Sequence, residues 1–102
     1  VDPENRSEVP KLSNYPNPFA PGQAESTQIV YQIDSPGRVI LNIYNSLGHP
    51  VQMLVDEFQE GGVWTAAWDG RDVASHPVSS GVYFYQLLEG GRRHHRALTL
   101  VR

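Results

Sequence analysis

The 102-residue chain contains no cysteine and no long hydrophobic run. The absence of cysteine excludes disulfide bonds and thiolate metal sites, so a domain of this size depends on its core for stability. It does not determine the cellular compartment. No apolar run approaches the roughly 20 residues of a transmembrane helix. The N-terminal stretch is polar, has no initiator Met and lacks a signal-peptide pattern. We therefore expect the sequence to be a fragment of a longer chain.

The overall charge and composition restrict the chain to one small folded unit. The formal net charge is −3, which excludes the basic footprint of a typical nucleic-acid-binding domain. Hydrophobic residues make up 39% of the sequence, fewer than in most packed domains but more than in disordered chains. A domain of this length buries roughly 60–70% of the surface that its unfolded chain exposes. The composition therefore predicts a single modest core.

The chain has a series of short segments in which apolar and polar residues alternate, as in half-buried β-strands. In the first, Ile29, Tyr31 and Ile33 share one face. The third alternates poorly, which indicates a β-bulge, with a single helical turn as the alternative. The predicted strands cover residues 26–33, 38–44, 51–58, 63–68, 82–88 and 93–101. Glycine-rich turns between them predict an all-β fold, an antiparallel immunoglobulin-like β-sandwich of about six to seven strands.

The N-terminal region has a different composition. Residues 1–13 are polar and proline-containing, so we expect a flexible linker there and the sandwich over residues 14–102. Three prolines between residues 16 and 21 fix φ and remove N–H donors, which excludes a helix or a central strand. We expect Tyr15 and Phe19 to pack on the edge of the core and to anchor this extended segment.

Two groups of residues fit either a binding function or a simpler structural role. Trp64 and Trp68 lie on one predicted strand face and would stack on sugars, but the strand periodicity favours a place in the core. Asp69 and Asp72 would supply only two carboxylates to a calcium loop. An Asx-type turn in which Gly70 takes an unusual φ is therefore favoured.

Catalytic and metal-binding patterns are weak throughout the chain. His94 and His95 are adjacent on a predicted strand and point to opposite faces, so they do not readily share one zinc ion. Ser79, Ser80 and His76 show no nucleophile-elbow pattern. We therefore expect a domain that is not an enzyme, with no metal and no cofactor, and we do not expect nucleic acid as a partner.

The C-terminal residues form the most informative segment. A strand, a Gly-Gly turn and a second strand run to the last residue, and the second strand is apolar with basic ends. Such a strand is suited to a sheet edge that another protein recognises, since an edge offers unpaired backbone groups for strand addition. Its arginines would pair with carboxylates or phosphates. The residues expected to take part in recognition are Arg92, Arg93, Arg96, Leu98, Leu100, Val101 and Arg102.

Five segments in a fixed order carry a resemblance to a known family. They are residues 14–19 (Asn-Tyr-Pro-Asn-Pro-Phe), 43–51 (Ile-Tyr-Asn-Ser-Leu-Gly-His-Pro-Val), 68–72 (Trp-Asp-Gly-Arg-Asp), 80–85 (Ser-Gly-Val-Tyr-Phe-Tyr) and the basic-apolar ending. Over about residues 12–102 the chain resembles the C-terminal sorting domain of type IX secretion cargo in Bacteroidetes-like bacteria. It is also similar to the immunoglobulin-like domain of the flagellar hook-capping protein. The motif positions singled out are Tyr15, Pro16, Asn17, Pro18, Phe19, Gly48, Trp68, Asp69, Gly70, Gly81 and Tyr83.

The chain departs from the family pattern at one place. The family usually has a glycine between the Trp-Asp-Gly motif and the Ser-Gly-Val-Tyr strand. Here residues 73–78 read Val-Ala-Ser-His-Pro-Val, without a glycine. We therefore expect this turn to be formed by other chemistry.

The resemblance implies a non-catalytic domain fused to an upstream cargo protein. Such a domain is recognised by the outer-membrane secretion translocon, and a cell-surface sortase-like protease then typically removes it. The implied location is the periplasm in transit and afterwards the outer-membrane surface or the extracellular space, and we expect a monomer in isolation. Two other functions stay open, a carbohydrate-binding module of a polysaccharide-degrading enzyme and a structural or assembly domain of immunoglobulin-like fold.

Overall fold

A computed structural model describes residues 11–102 of the chain. Over this range the secondary structure consists of seven strands, with no helix. The strands are β1 (Leu12–Tyr15), β2 (Thr27–Ile33), β3 (Gly37–Asn45), β4 (Pro50–Gln59), β5 (Gly62–Trp68), β6 (Gly81–Glu89) and β7 (Arg92–Leu100). The described part of the chain accordingly has no helix suited in length and hydropathy to span a membrane. The predicted all-β fold is confirmed.

The strands form two sheets that pack face to face. Sheet A has three strands in the order β1-β2-β5, and sheet B has four in the order β4-β3-β6-β7. Every strand pair is antiparallel. This arrangement is that of an immunoglobulin-like β-sandwich, and the six predicted strands correspond to β2–β7.

Strand β1 lies at the junction between the predicted linker and the predicted sandwich. The side chain of Leu12 is only 2% exposed and belongs to the core. Leu12 pairs with Tyr31 of β2, so the sandwich starts two residues before the predicted boundary at residue 14. Strand β1 is an edge strand, a position that is compatible with the prolines that follow it. Residues 1–10 of the predicted linker lie outside the described part of the chain.

The core is built from the inward-facing alternate residues of both sheets. Ile29, Tyr31 and Ile33 of β2 are buried as their alternation predicts. On sheet B the core residues of β3, β6 and β7 are Val39, Leu41, Ile43, Tyr83, Tyr85, Leu87, Leu98 and Leu100, and Val51 of β4 joins them. Two aromatic contacts connect the layers, with Trp68 placed 6.3 Å from Phe19 and 5.4 Å from Tyr83 between ring centroids.

The two aromatic residues expected on the core edge have different environments. Phe19 is fully buried, as predicted. Tyr15 is 79% exposed, so the prediction for it was wrong. The reason is the alternation within β1: the side chain of Asn14 makes hydrogen bonds to Thr27 and Tyr85, and the next residue therefore points away from them.

The predicted irregularity of the third strand segment is present, in the pairing of β3 with β4. The register shifts between Leu41 and Asn42 and again between Ile43 and Tyr44. Strand β4 nevertheless runs unbroken over Pro50–Gln59, so the alternative of a helical turn was wrong. Bulges of this kind increase the local twist of a sheet without ending it.

Turn chemistry explains two of the motif glycines. Gly48 has φ +85°, and in the same turn the Asn45 side chain accepts hydrogen bonds from two backbone N–H groups, of Leu47 and His49. Gly70 has φ +80°, and the Asp69 carboxylate accepts the N–H of Arg71 at 3.1 Å. The interpretation of this segment as an Asx-type turn is therefore confirmed.

The turn that lacks the family glycine uses a serine in the left-handed region. Ser75 has φ 67°, and it is the non-glycine residue with positive φ among the described residues. The carboxylate of Asp72 accepts hydrogen bonds from the N–H groups of Ala74 and His76 at 3.0 and 2.9 Å. These bonds hold the loop in a conformation that costs a non-glycine residue roughly 1–2 kcal/mol. The Asp72 bonds and the left-handed Ser75 thus replace the glycine that the family usually has in this turn.

Candidate docking edge

Strand β7 lies at one edge of sheet B. It pairs with β6 from Gly81↔Leu100 to Glu89↔Arg92, so one of its two sides is fully occupied by the ladder. On an antiparallel strand, the backbone groups of successive residues point alternately to the two sides. Another protein can therefore pair only with those backbone groups on the outer side of β7 that are not already bonded within the domain.

The C-terminal half of that outer side is covered by residues 16–19, which we call the strap. The N–H of Phe19 donates to the carbonyl of Thr99 at 2.8 Å, and the N–H of Val101 donates to the carbonyl of Phe19 at 2.9 Å. The Asn17 side chain accepts the N–H of Thr99 at 3.1 Å and donates to the carbonyl of Ala97 at 3.4 Å. The proline-rich motif therefore closes this half of the edge.

The N-terminal half of the same side is open. Because the backbone groups of Ala97 and Thr99 point to the strap, the alternation directs those of Arg93 and His95 outward as well. No backbone bond from the rest of residues 11–102 reaches these two outward positions. Residues 93–96 of β7 are therefore available for strand addition, and we call them the open edge.

The open edge borders a crevice shared with the start of β1. This crevice of about 460 Å³ is lined by Lys11, Leu12 and the four residues of the open edge. No acidic residue lines the crevice, and three of its residues are permanently cationic (Lys11, Arg93 and Arg96), of which Lys11 is ion-paired with Asp34. A chain with a net charge of −3 thus carries a local basic surface at this position.

The predicted recognition arginines fall into two groups. Arg93 and Arg96 are exposed and form no side-chain hydrogen bond or ion pair with the described residues. Arg92 donates from Nε to Glu89 at 3.3 Å and from Nη2 to Asp34 at 3.5 Å. Arg102 donates to the carbonyls of Val78 and Gly70 at 2.5 and 2.8 Å. The last two guanidinium groups are therefore engaged within the domain.

The apolar residues predicted to take part in recognition also differ in their exposure. Leu98 and Leu100 are 1% and 0% exposed and belong to the core. A protein that binds the folded domain therefore has no access to their side chains. Val101 is 47% exposed, although its N–H is bonded to the strap.

A buried carboxylate, Glu89, stabilises the end of the sandwich beside the open edge. Its side chain is 2% exposed and contacts His94 Nε2 at 3.0 Å and Arg92 Nε at 3.3 Å. Lys11 Nζ lies 4.0 Å away and forms a closer ion pair with Asp34 at 2.9 Å. Burial raises the pKa of Glu89, but the hydrogen bonds from His94 and Arg92 outweigh it and hold the pKa below its ordinary value.

This ion cluster was not predicted from the sequence, although a signal for it exists. In β6 the buried positions alternate as Tyr83, Tyr85, Leu87 and Glu89. A carboxylate that continues an apolar alternation is expected to be buried and therefore to have cationic partners. His94, which the sequence suggested only as a weak metal ligand, is one of those partners.

A second polar network lies in the interior near β1. The Tyr85 hydroxyl donates to Asn14 Oδ1 at 2.8 Å, and Asn14 Nδ2 donates to Thr27 Oγ1 at 2.9 Å. Burial raises the pKa of Tyr85 to about 12, with a smaller opposing effect from Arg96. The network therefore stays neutral and provides a fixed support under the edge.

The tryptophans have structural partners. Trp68 is 1% exposed and donates from Nε1 to the carbonyl of Arg71, which confirms its place in the core. Trp64 is half-buried against the core and donates to the carbonyl of Glu60. These two rings therefore do not form a flat exposed platform. Residues 11–102 also contain no group of three or more His, Asp or Glu side chains placed to hold a metal ion.

Comparisons with known proteins find solved structures of similar fold. PorZ of Porphyromonas gingivalis, an essential bacterial surface component of the type IX secretion system, is similar with a TM-score of 0.63 and 19% identity, over 89% of this chain and 11% of PorZ. Dimeric latent PorU from the same organism gives a TM-score of 0.66 and 19% identity, over 88% of this chain and 9% of PorU. FlgD from P. aeruginosa gives 0.53 and 21% identity, over 71% of this chain and 57% of FlgD.

These similarities concern the fold. This chain spans 11% of PorZ and 9% of PorU, so it corresponds to one small part of each. No protein-family profile and no curated protein matches the chain. The resemblance predicted from the sequence motifs is thus confirmed at the level of fold, by the two Porphyromonas proteins and by FlgD.

Proposed function

We propose that this domain is a non-catalytic sorting signal that directs a fused cargo protein across the outer membrane through a type IX secretion system. The observation that carries the proposal is the structural likeness to a small part of PorZ, a surface component of that system, over 89% of the present chain. The five ordered sequence motifs support the same role. On this proposal the domain passes through the periplasm and reaches the cell surface or the medium.

The open edge is the proposed contact with the translocon. Its outward N–H and C=O groups at Arg93 and His95 would pair with an extended segment of the receptor. Arg93 and Arg96 would bind carboxylates on that segment, since a guanidinium group pairs with a carboxylate in a bidentate geometry. This contact set is smaller than the predicted one because Leu98 and Leu100 serve the core, while Arg92 and Arg102 serve internal bonds.

The proposal also includes later removal of the domain by a cell-surface sortase-like protease. Such an enzyme needs an extended, unpaired backbone. From Leu12 onward the chain is paired in β1, and Leu12 is buried. Cleavage before Leu12 would therefore release the sandwich intact.

The test uses the domain fused to a fluorescent reporter in a bacterium with a type IX system. Deletion of residues 93–102 is a poor test because it also removes Leu98 and Leu100 from the core. A sharper test compares His95→Pro with His95→Ala. Proline removes an outward N–H and is tolerated at such an edge position, whereas alanine keeps the N–H. We expect His95→Pro to reduce surface display about tenfold, which corresponds to roughly 1.4 kcal/mol of binding.

The arginines are tested by a double variant with a control of equal charge. Arg93→Ala with Arg96→Ala should retain the reporter in the periplasm. The control, Arg38→Ala with Arg71→Ala, removes two exposed arginines that are not part of the open edge and should be displayed normally. Thermal unfolding of each purified domain verifies that it is folded. Normal display of the proline variant and of the Arg93/Arg96 variant would contradict the proposal.

The likeness to FlgD favours a second candidate function, a structural assembly domain. Its signature is self-association, which sedimentation equilibrium of the purified chain detects. A monomer over the measured concentration range would argue against this candidate and agree with a sorting signal.

A further inference from the structure

We infer that the outer face of sheet B carries a binding site for acidic oligosaccharides, a site that goes beyond the proposed sorting function. The face consists of the residues that alternate with the core positions of β3, β6 and β7. Its centre is a shallow crevice of about 390 Å³ next to the turn at Gly48. This volume lies within the range of small-molecule sites and accommodates one or two sugar rings.

Register places two functional rows side by side on this face. Tyr44 of β3 is directly opposite Phe84 of β6, which makes an aromatic pair. In the next row, Asn42 is opposite Gln86, and Gln86 is opposite His95 of β7. Neighbouring strands lie about 4.8 Å apart, so the two-strand aromatic row is about as wide as one sugar ring and the three-strand polar row about as wide as two.

The aromatic row offers apolar surface in a fixed position. Phe84 is 37% exposed, and Tyr44 is half-buried with its hydroxyl held by Asn42 Nδ2 at 3.3 Å. The face of an aromatic ring carries partial negative charge, which favours contact with the polarised C–H groups on one side of a pyranose ring. An aromatic pair therefore suits a sugar better than a metal ion or a compact anion.

The polar row offers unused hydrogen-bonding groups. The side chains of Gln86 and His95 in this row, and of Arg93 two residues before His95 on β7, form no hydrogen bond or ion pair with the described residues. An amide both donates and accepts, which suits the paired donor and acceptor character of sugar hydroxyls. These groups and the aromatic rings line the same crevice.

The charge of the residues that line the crevice indicates which class of sugar it binds. The crevice is lined by Arg93 and by no carboxylate. Asp56, the acidic residue opposite Ile40 on the same sheet, is engaged by Arg38 Nε at 2.7 Å. A guanidinium group that is not paired with a carboxylate of the domain favours a carboxylate ligand. The ligand is therefore a saccharide that carries carboxylates, as a uronic acid does.

The experiment titrates the 102-residue chain with trigalacturonic acid and follows its amide NMR spectrum. We expect saturable shifts centred on Asn42, Tyr44, Phe84, Gln86 and His95. Galactotriose, which has hydroxymethyl groups in place of the carboxylates, should bind at least about tenfold more weakly, and Arg93→Ala should abolish this preference. Gln86→Ala should weaken trigalacturonate binding about tenfold, the effect of roughly 1.4 kcal/mol.

Matched variants separate ring stacking from stability. Phe84→Leu keeps an apolar side chain but removes the ring, and it should weaken binding about tenfold. Phe58→Leu, at an exposed position on β4 outside the crevice, should bind like the wild type. Binding lost in Arg96→Ala but retained in Phe84→Leu would move the anion to the open edge and overturn the inference.

Two other results would also overturn it. One is the absence of saturable shifts with trigalacturonate up to about 10 mM, a concentration that would detect even a millimolar dissociation constant. The other is equal binding of a hexaglutamate peptide, which would show a general attraction of anions or of acidic proteins. Neither result would alter the display phenotype of His95→Pro, so failure of this inference is distinguishable from failure of the sorting proposal.

Discussion

The Asn17 side chain accepts a hydrogen bond from the backbone N–H of Thr99, 82 positions later, at 3.1 Å. This bond, with those of Phe19, joins the proline-rich strap to the last strand. It divides the outer side of β7 into a covered half and an open half. The division decides which part of the C-terminal strand another protein can reach.

The first prediction tests this bond. Asn17→Ala should accelerate hydrogen exchange of the Thr99 amide by about tenfold, and it should lower the free energy of unfolding by about 1 kcal/mol, the usual net value of one hydrogen bond. Amide exchange measured by NMR gives the first quantity, and urea unfolding gives the second. Gln28→Ala, which removes an exposed amide bonded to Ser26, is the control and should leave Thr99 exchange unchanged. An unaltered Thr99 rate in Asn17→Ala would show that the bond is not formed in solution.

The second prediction compares two phenylalanines. Phe19→Ala should lower the free energy of unfolding by about 3–5 kcal/mol, because it removes a fully buried ring in contact with Trp68. Phe58→Ala removes a ring that is 64% exposed and should change stability by less than about 0.5 kcal/mol. Chemical unfolding followed by tryptophan fluorescence measures both. Equal losses in the two variants would contradict the assignment of Phe19 to the core.

The third prediction concerns the turn without the family glycine. Ser75→Gly should raise the free energy of unfolding by about 0.5–1 kcal/mol, because release of the left-handed strain exceeds the added freedom of the unfolded chain. For a domain of this size, the unfolding midpoint should rise by roughly 2–8 °C. Ser46→Gly, in a turn where the residue has no positive φ, should instead be neutral or destabilising. A lower unfolding midpoint for Ser75→Gly would mean that the serine side chain stabilises the fold by more than the strain of its left-handed backbone destabilises it.

The fourth prediction concerns pH and Glu89. The pKa of this carboxyl lies below its ordinary value in the folded domain, where His94 and Arg92 bond to it. Its stabilising effect is therefore complete above the pKa of the unfolded chain, about 4.3, and is lost as the pH falls through the folded pKa. Glu89→Gln should cost about 1.5–3 kcal/mol at pH 7, because His94 and Arg92 lose a charged hydrogen-bond partner.

The difference in stability between wild type and Glu89→Gln should shrink as the pH falls below about 4.3, since protonation of the wild-type carboxyl produces a similar neutral group. Urea unfolding from pH 7 to pH 3 measures this difference. Glu60→Gln, at an exposed position, is the matched control and should show little effect at any pH. A constant difference between wild type and Glu89→Gln across the range would exclude the ionised cluster as the cause.

Local pattern was sufficient for strands β2–β7, for most of the core and for the turns at Gly48 and Gly70. The alternation of apolar and polar residues along a strand shows which face packs against the other sheet. The burial of Ile29, Tyr31 and Ile33 therefore follows from their spacing alone. Turn chemistry at Gly48, and at Asp69 with Gly70, is set by neighbours in sequence. The family resemblance, later matched by fold, depended on the order of these local motifs.

The sequence by itself thus determined an all-β sandwich with the order of its strands along the chain, because those features depend on residues a few positions apart. Only the tertiary structure decided which part of β7 is open, since that depends on Asn17 and Phe19 meeting Thr99 across most of the chain. It also decided that Arg93 and Arg96 remain unpaired among the described residues while Arg102 bonds to Gly70 and Val78. Edge exposure and ion pairing are long-range properties, and no local periodicity encodes them.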